Sequence, residues 1–112
     1  YQEYLRDLKN VVLPSEDRSV VSAWHLYILR VRHAAHRDPL FRHLLAKRIG
    51  VNFHYPPVYW HPYYRHHGYA KTALPVTDHY GRTSITLPIH TLLSKAQVQY
   101  IAKHIRGYFQ SL

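Results

Sequence analysis

The sequence predicts an α+β fold, in which helices pack on a small, mainly antiparallel sheet of three strands. Three observations predict it. Residues 24–32 are rich in aromatic and branched side chains, as is typical of a buried strand. Residues 94–112 begin with a capping box and continue with apolar residues at helical spacing. A length of 112 residues leaves room for one hydrophobic core, and therefore for a single domain.

The first half of the chain predicts two helices and a further strand. Residues 1–9 carry apolar side chains at helical spacing and predict a short helix. Asp38 is placed to cap a second helix that starts with Pro39, and Gly50 is placed to end it. Residues 51–55 alternate between apolar and polar side chains, which predicts a short strand. The second helix has an apolar face formed by Leu40, Phe41, Leu44, Leu45 and Ile49.

The second half predicts a helical turn, the third strand and a long helix. Pro75 opens the helical turn, and Thr77 is its expected cap. Residues 83–87 predict the strand, which Pro88 stops. The capping box is the segment 94–97, in which a glutamine reaches back to the serine. The apolar stripe of the long helix is formed by Val98, Ile101, Ala102, Ile105, Phe109 and Leu112.

Composition and charge limit the possible functions. The chain has no cysteine, which excludes disulfides, thiolate metal sites and a cysteine nucleophile. No apolar stretch reaches the roughly 18–20 residues that span a bilayer, and we expect the cytoplasm by default. The formal net charge of +9 favours anionic partners, but the basic residues are scattered and form no long run. A stand-alone basic module for phosphorylated or nucleic-acid ligands is therefore an alternative, although nucleic acid is the weaker of the two because no nucleic-acid motif is present.

No self-contained catalytic set is visible. The 11 histidines match no standard zinc spacing, so a small His-based metalloprotein is only a third alternative, and we expect no metal site. Ser84 lies in no GxSxG turn, and no glycine-rich phosphate loop is present. We therefore expect no catalytic residue in this chain.

The segment 56–70 is the most informative candidate site. Its sequence, PPVYWHPYYRHHGYA, prevents a long helix because of its prolines, and predicts a loop with one short helix around 63–67. Aromatic rings stack on sugar-like ligands, while His and Tyr tips bind hydroxyl or phosphate oxygens. The alternative for these rings is that they pack against another domain, and it applies equally to Tyr55, Tyr59, Trp60, Tyr63 and Tyr64.

Several short motifs follow one another along nearly the whole chain. In order, they are Trp24-His25-Leu26-Tyr27, Arg48-Ile49-Gly50-Val51, His54-Tyr55-Pro56-Pro57-Val58, Pro62-Tyr63-Tyr64-Arg65 with Gly68-Tyr69, Leu74-Pro75-Val76, Thr86-Leu87-Pro88-Ile89-His90, and Ser94-Lys95-Ala96-Gln97-Val98. In this order and spacing, the chain resembles the C-terminal small domain of DegT-type sugar aminotransferases, which are fold type I pyridoxal phosphate enzymes. The chain begins at Tyr1 and lacks methionine, so we also expect a fragment of a longer protein.

The resemblance implies how a longer protein would be organised. Residues 1–10 would be the tail of an interdomain helix, and 22–112 the small domain. A large domain of the same chain would bind pyridoxal 5'-phosphate and carry its lysine, so this chain binds no cofactor by itself and is inactive alone. Family members are expected to be cytoplasmic homodimers that make amino sugars for polysaccharides.

The resemblance also implies a reaction and its binding residues. The parent would transfer an amino group to a keto group on a nucleotide-linked sugar. His54, Tyr55, Tyr59 and His61 would bind that substrate. The sequence departs from the family at Tyr59, where His is common, and at Thr77-Asp78, where Ala-Glu is common. Some relatives are dehydratases or regulators, so the fold does not by itself decide the reaction. The resemblance also specifies neither the sugar, nor its aminated carbon, nor the amino donor.

Overall fold

A computed structural model describes all residues from Tyr1 to Leu112. The expected α+β composition is confirmed, although several elements are shorter than predicted. The elements are α1 (Gln2–Leu5), β1 (Val11–Val12), β2 (Tyr27–Val31), α2 (Arg37–Ala46), α3 (Pro62–Tyr64), α4 (Pro75–Thr83), β3 (Ser84–Leu87) and α5 (Lys95–Gln110). No helix among them is both long and apolar enough to span a membrane.

The sheet has three strands in the order β1-β2-β3, and both pairings are antiparallel. Val11 lies opposite Val31, and Tyr27 lies opposite Leu87. The alternate residues Tyr27, Leu29 and Val31 of the central strand are buried, which is the period-2 pattern of a strand with one face on the core. The predicted fold class is therefore confirmed.

The membership of the sheet differs from the prediction. The expected strand at 51–55 is wrong: only Asn52 pairs with the sheet, through a single bridge to Thr86. The backbone bonds of that bridge are 2.8 and 3.2 Å long. Two consecutive prolines follow at 56–57, where no N–H is available to continue a ladder. The third strand of the sheet is instead β1, which the sequence did not predict. Its two residues are too few to show a periodic pattern.

Helix α2 begins before the predicted cap. A 3-10 turn over Ala34–His36 leads directly into the helix at Arg37. Asp38 is thus a first-turn residue rather than the N-cap, and its carboxylate forms an ion pair with Arg37 at 2.7 Å. A carboxylate in this turn also faces the positive end of the helix dipole.

Helix α2 ends before the predicted glycine. Arg48, and not Gly50, adopts the left-handed conformation, with φ of 58°. The N–H groups of Lys47 and Ile49 both donate to the carbonyl of Leu44 at 3.0 Å, and these bonds close the helix end. This reversal turns Ile49 into the core, where it is 4% exposed.

The capping box predicted for α5 is confirmed, as is the helical turn that Pro75 opens at α4, but the predicted cap of α4 is not. The N–H of Gln97 donates to Ser94 Oγ at 3.2 Å, and the N–H of Ser94 donates to Gln97 Oε1 at 2.8 Å. Leu112 lies beyond the helix and is exposed, unlike the rest of the predicted stripe. Helix α4 starts at Pro75 with Leu74 as its N-cap, so the predicted cap at Thr77 is wrong.

A single hydrophobic core joins the sheet to its helices. Residues near the start of the chain take part, since Leu5 is fully buried and Val11 is 5% exposed. Leu5 and Val11 therefore belong to the same core as the later residues, while the assignment of 1–10 to an interdomain helix stays a prediction. The core consists of Leu5, Val11, Tyr27, Leu29, Val31, Leu40, Leu44, Ile49, Val51, Ile85, Leu87, Ile101, Ala102 and Ile105.

Candidate functional site

The candidate site is the aromatic loop, defined as residues 53–70, together with the face of α4 against which it lies. The loop contains a 3-10 turn over Val58–Trp60, then α3, then a π-helical turn over Arg65–Tyr69. The short helix predicted around 63–67 is confirmed by these two consecutive turns. Gly68 breaks the helical path with φ of 98°, a left-handed conformation that glycine adopts without strain.

Asp78 of α4 ties the loop to the rest of the domain. The phenol of Tyr59 donates to Asp78 Oδ1 at 2.5 Å, and the indole N–H of Trp60 donates to the same oxygen at 3.2 Å. Burial, followed by the hydrogen bond to Asp78, raises the pKa of Tyr59 above its ordinary value. Tyr59 therefore keeps its proton and remains a donor at neutral pH.

Gly81 allows α4 to approach the loop closely. A Cβ atom at this position would lie 2.6 Å from Pro57 Cδ and 3.1 Å from the Trp60 ring. These distances are shorter than van der Waals contact, so only glycine fits without movement of the loop. The backbone of Gly81 makes a further contact, because Arg37 donates a hydrogen bond to its carbonyl oxygen at 2.5 Å.

Arg37 connects Gly81 of α4 to the start of the loop at Phe53. Its guanidinium lies 4.4 Å from the centre of the Phe53 ring, which stacks on Phe41 with a centroid distance of 4.2 Å. The loop is thus fixed at its first residues by α2 and near its middle by α4. Such support keeps an irregular segment in one position over a regular scaffold.

The predicted binding residues occupy three distinct settings. His54 is half-buried, with its Nδ1 atom 2.8 Å from Thr86 Oγ1 on β3. The neighbouring ring of Tyr55 stands edge-on to it at 4.8 Å and is 72% exposed. Tyr59 is engaged with Asp78, and His61 is an exposed residue at the start of α3. The structure pairs His54 with Tyr55, but it does not place all four in one cleft, and their binding role stays a prediction.

The two clefts beside the loop have different linings from the predicted set. One, of about 310 Å³, is lined by Trp60, Arg65 and Arg82. The other, of about 480 Å³, is lined by Trp60, Pro62, Arg65, His66 and Ala70. Neither contains a carboxylate, and the Arg82 guanidinium lies 5.4 Å from the centre of the Trp60 ring.

The predicted binding residues do not include Trp60, Arg65 or Arg82, which line these clefts. Of the three, the sequence indicates only Trp60, as one of the rings of the loop. Trp60 and Arg65 lie within the motif-bearing loop and were visible there. Arg82 lies on α4, and no local pattern relates it to the loop. Arg82 reaches the loop because the neighbouring Gly81 packs against it, which places the Arg82 guanidinium beside Trp60.

Known proteins match this chain over nearly its whole length, including the aromatic loop. Residues 1–106 match the model of the DegT/DnrJ/EryC1/StrS aminotransferase family. The chain belongs to this family. The resemblance inferred from the order of the motifs is thereby confirmed.

Two relatives and one solved structure illustrate the match. The erythromycin biosynthesis sensory transduction protein EryC1 of Saccharopolyspora erythraea is 33% identical over 96% of this chain and 29% of its own length. The dTDP-4-dehydro-2,3,6-trideoxy-D-glucose 4-aminotransferase of Saccharopolyspora spinosa is 29% identical over 91% of this chain and 26% of its own. The PMP form of Spr1654 from Streptococcus pneumoniae is 26% identical, with a TM-score of 0.86 over 98% of this chain and 28% of that one.

The chain thus spans less than a third of these relatives. All five lysines of the chain are exposed; these are Lys9, Lys47, Lys71, Lys95 and Lys103. No group of three or more His, Cys, Asp or Glu side chains is arranged to hold a metal ion.

Proposed function

We propose that this chain is the small domain of a pyridoxal phosphate-dependent aminotransferase that aminates a keto group on a nucleotide-linked sugar. The observation that carries the proposal is the family match over residues 1–106. The substrate class is supported by the relative named as an aminotransferase of a dTDP-linked keto sugar. The chain spans less than a third of the length of these relatives. We assign the cofactor, its lysine and the catalytic step to the rest of the parent protein.

The role of this chain is to close the substrate side of the cleft with the aromatic loop. When bound, the cofactor supplies an electron sink for amino transfer. The exposed ring of Tyr55 offers a stacking surface for the sugar, and His54 is oriented by Thr86. Tyr59 stays neutral and holds the loop through Asp78. Because the loop is already fixed, it excludes water and orients the substrate without having to become ordered in each catalytic cycle.

The partners follow from the same assignment. The large domain of the same chain would cover exposed aromatic side chains of the loop, among them Tyr55 and Tyr63, which are 72% and 65% exposed. A homodimer is expected for the parent protein. We expect the isolated 112-residue chain to be inactive, because the proposal places the cofactor and its lysine in the large domain.

The test is an amination assay on the complete reading frame that encodes this chain. The protein is supplied with pyridoxal phosphate, glutamate and a dTDP-linked 4-keto sugar, and the amino sugar is detected by mass spectrometry. We expect product from the complete protein and none from the 112-residue chain. Absence of amination, with salt-sensitive binding of nucleic acid by the chain, would instead favour the stand-alone basic module.

A variant pair tests the contribution of the loop. Tyr55→Ala removes the exposed stacking ring and is expected to raise KM by about tenfold, since base or sugar stacking on a ring contributes about 1–3 kcal/mol. The matched control is Tyr100→Ala, which removes an exposed ring from α5. Equal KM values for the two variants would contradict a binding role for Tyr55.

A further inference from the structure

We propose that Trp60, Arg65 and Arg82 form the subsite that holds the diphosphate of the nucleotide sugar. The inference rests on the proposed function, which it deepens by naming where the charged part of the substrate lies. It concerns residues other than the four that the motifs indicated. Three observations carry it: the shared clefts, the unpaired charges and the anchored indole ring.

The smaller cleft brings two arginines and one aromatic ring system together. Trp60 and Arg65 line both clefts, and Arg82 lines the smaller one. A cation-π contact of 5.4 Å keeps the Arg82 guanidinium beside the Trp60 ring. A diphosphate in the smaller cleft would therefore meet a cation from the loop and a cation from α4.

Neither arginine has its charge satisfied within the chain. The ion pairs of the structure are Arg37 with Asp38 and Arg106 with Asp7. The guanidinium groups of Arg65 and Arg82 make no hydrogen bond to any other residue. A guanidinium has five N–H donors in a planar fork that matches phosphate oxygens, so both groups are free to bind an anion.

The carboxylate of Asp78, on α4, holds the ring in place. Its Oδ1 atom accepts hydrogen bonds from Tyr59 and from the Trp60 indole, and it forms no ion pair with Arg82. The close contact of Gly81 with Pro57 fixes the same part of the loop on α4. The arrangement is therefore set before the ligand arrives, which lowers the entropic cost of binding.

The positive charge and the aromatic surface together favour an organic diphosphate, such as a nucleotide sugar, over a carboxylate ligand. Two arginines match two linked phosphate groups, each of which accepts bidentate hydrogen bonds. The second cleft, beside Trp60 and His66, gives room of about 480 Å³ for the attached nucleoside or sugar. Because both arginines are exposed, the affinity must fall as ionic strength rises.

The experiment titrates the 112-residue chain with pyrophosphate, dTDP and thymidine while ¹⁵N–¹H spectra are recorded. The Trp60 indole signal is identified by its loss in Trp60→Phe. We expect pyrophosphate and dTDP to move this signal at concentrations at which thymidine, which lacks the phosphates, has little effect on it. The variant is the pair R65Q/R82Q, and the matched control is R18Q/R42Q, which removes the same charge from exposed positions elsewhere.

The expected result is that R65Q/R82Q weakens dTDP binding by about tenfold or more, while R18Q/R42Q changes it by less than about twofold. Both variants alter exposed side chains, and their circular dichroism is expected to match that of the parent chain. Equal losses in the two variants would mean that only net charge matters, and the subsite would be overturned. It would also be overturned by dTDP binding that is unchanged in R65Q/R82Q, or by no binding at all.

These outcomes separate the subsite from the proposed function. If the complete protein aminates the sugar and the arginine pair has no effect on dTDP binding, the function stands and the subsite is refuted. If the arginine pair controls dTDP binding but the complete protein aminates nothing, the diphosphate site stands and the aminotransferase assignment is refuted.

Discussion

Substitution of Gly81 by alanine tests how closely α4 supports the aromatic loop. The added Cβ would lie 2.6 and 2.9 Å from the Cδ and Cγ atoms of Pro57, and 3.1 Å from the Trp60 ring. Pro57 is buried and its ring is rigid, so the contact is relieved only by movement of the loop away from α4.

The magnitude follows from two opposed contributions. Alanine in a helix is favoured over glycine by about 0.5–1 kcal/mol. Overpacking against a rigid neighbour costs about 1–3 kcal/mol. Gly107 supplies a matched control, since it also lies within a helix but a Cβ added there would have no atom within 4 Å. The helix preference is common to both substitutions, so the difference between them isolates the overpacking, about 1–3 kcal/mol.

The assay is urea unfolding of both variants, followed by far-ultraviolet circular dichroism. Gly107→Ala is expected to stabilise the chain, and Gly81→Ala to be less stable than Gly107→Ala by the amount above. A displaced Trp60 indole signal in Gly81→Ala would show that the loop has moved. Equal stabilisation by both substitutions would refute the close approach of the loop to α4, and with it the anchoring of the candidate site.

Two further predictions concern α5. Burial, then nearby positive charge, lowers the pKa of the His104 imidazole; the charges are those of Lys47, His43 and Lys103. Because the folded chain binds this proton less tightly than the unfolded chain, stability is complete above about pH 6.5 and falls as the pH drops below it. Melting temperatures measured between neutral and acidic pH should therefore fall less in His104→Gln than in the parent chain, and parallel curves would contradict this. Separately, Ser94→Ala should cost about 1 kcal/mol in urea unfolding through loss of the helix cap, whereas Ser15→Ala, at an exposed position, should change little.

The elements that were predicted well are those whose determining contacts are local. The capping box of α5 joins residues three apart, so its hydrogen bonds depend only on the sequence between them. The aromatic and branched composition of residues 24–32 is similarly local, and it correctly indicated the strand β2. Family membership was also visible, because the order of the motifs along the chain is itself a property of the sequence.

The elements that were missed depend on partners distant in sequence. β1 exists because Val11 and Val12 pair with β2, and two residues carry no pattern of their own. The segment 51–55 has a strand pattern, but its pairing stops after the bridge at Asn52. At the end of α2, burial of Ile49 favours the left-handed conformation at Arg48, although the following glycine would adopt it more easily.

The sequence by itself determined the fold class, the capped helix α5, the aromatic loop as the candidate site and the family. Each of these is encoded in residue order or in contacts within a few positions. Only the tertiary structure decided which strand completes the sheet, and which side chains meet at the loop. Asp78, Gly81 and Arg82 act on Tyr59, Pro57 and Trp60 across the fold. The physical reason is that such contacts arise when α4 packs against the loop, and the spacing of residues along the chain does not specify that packing.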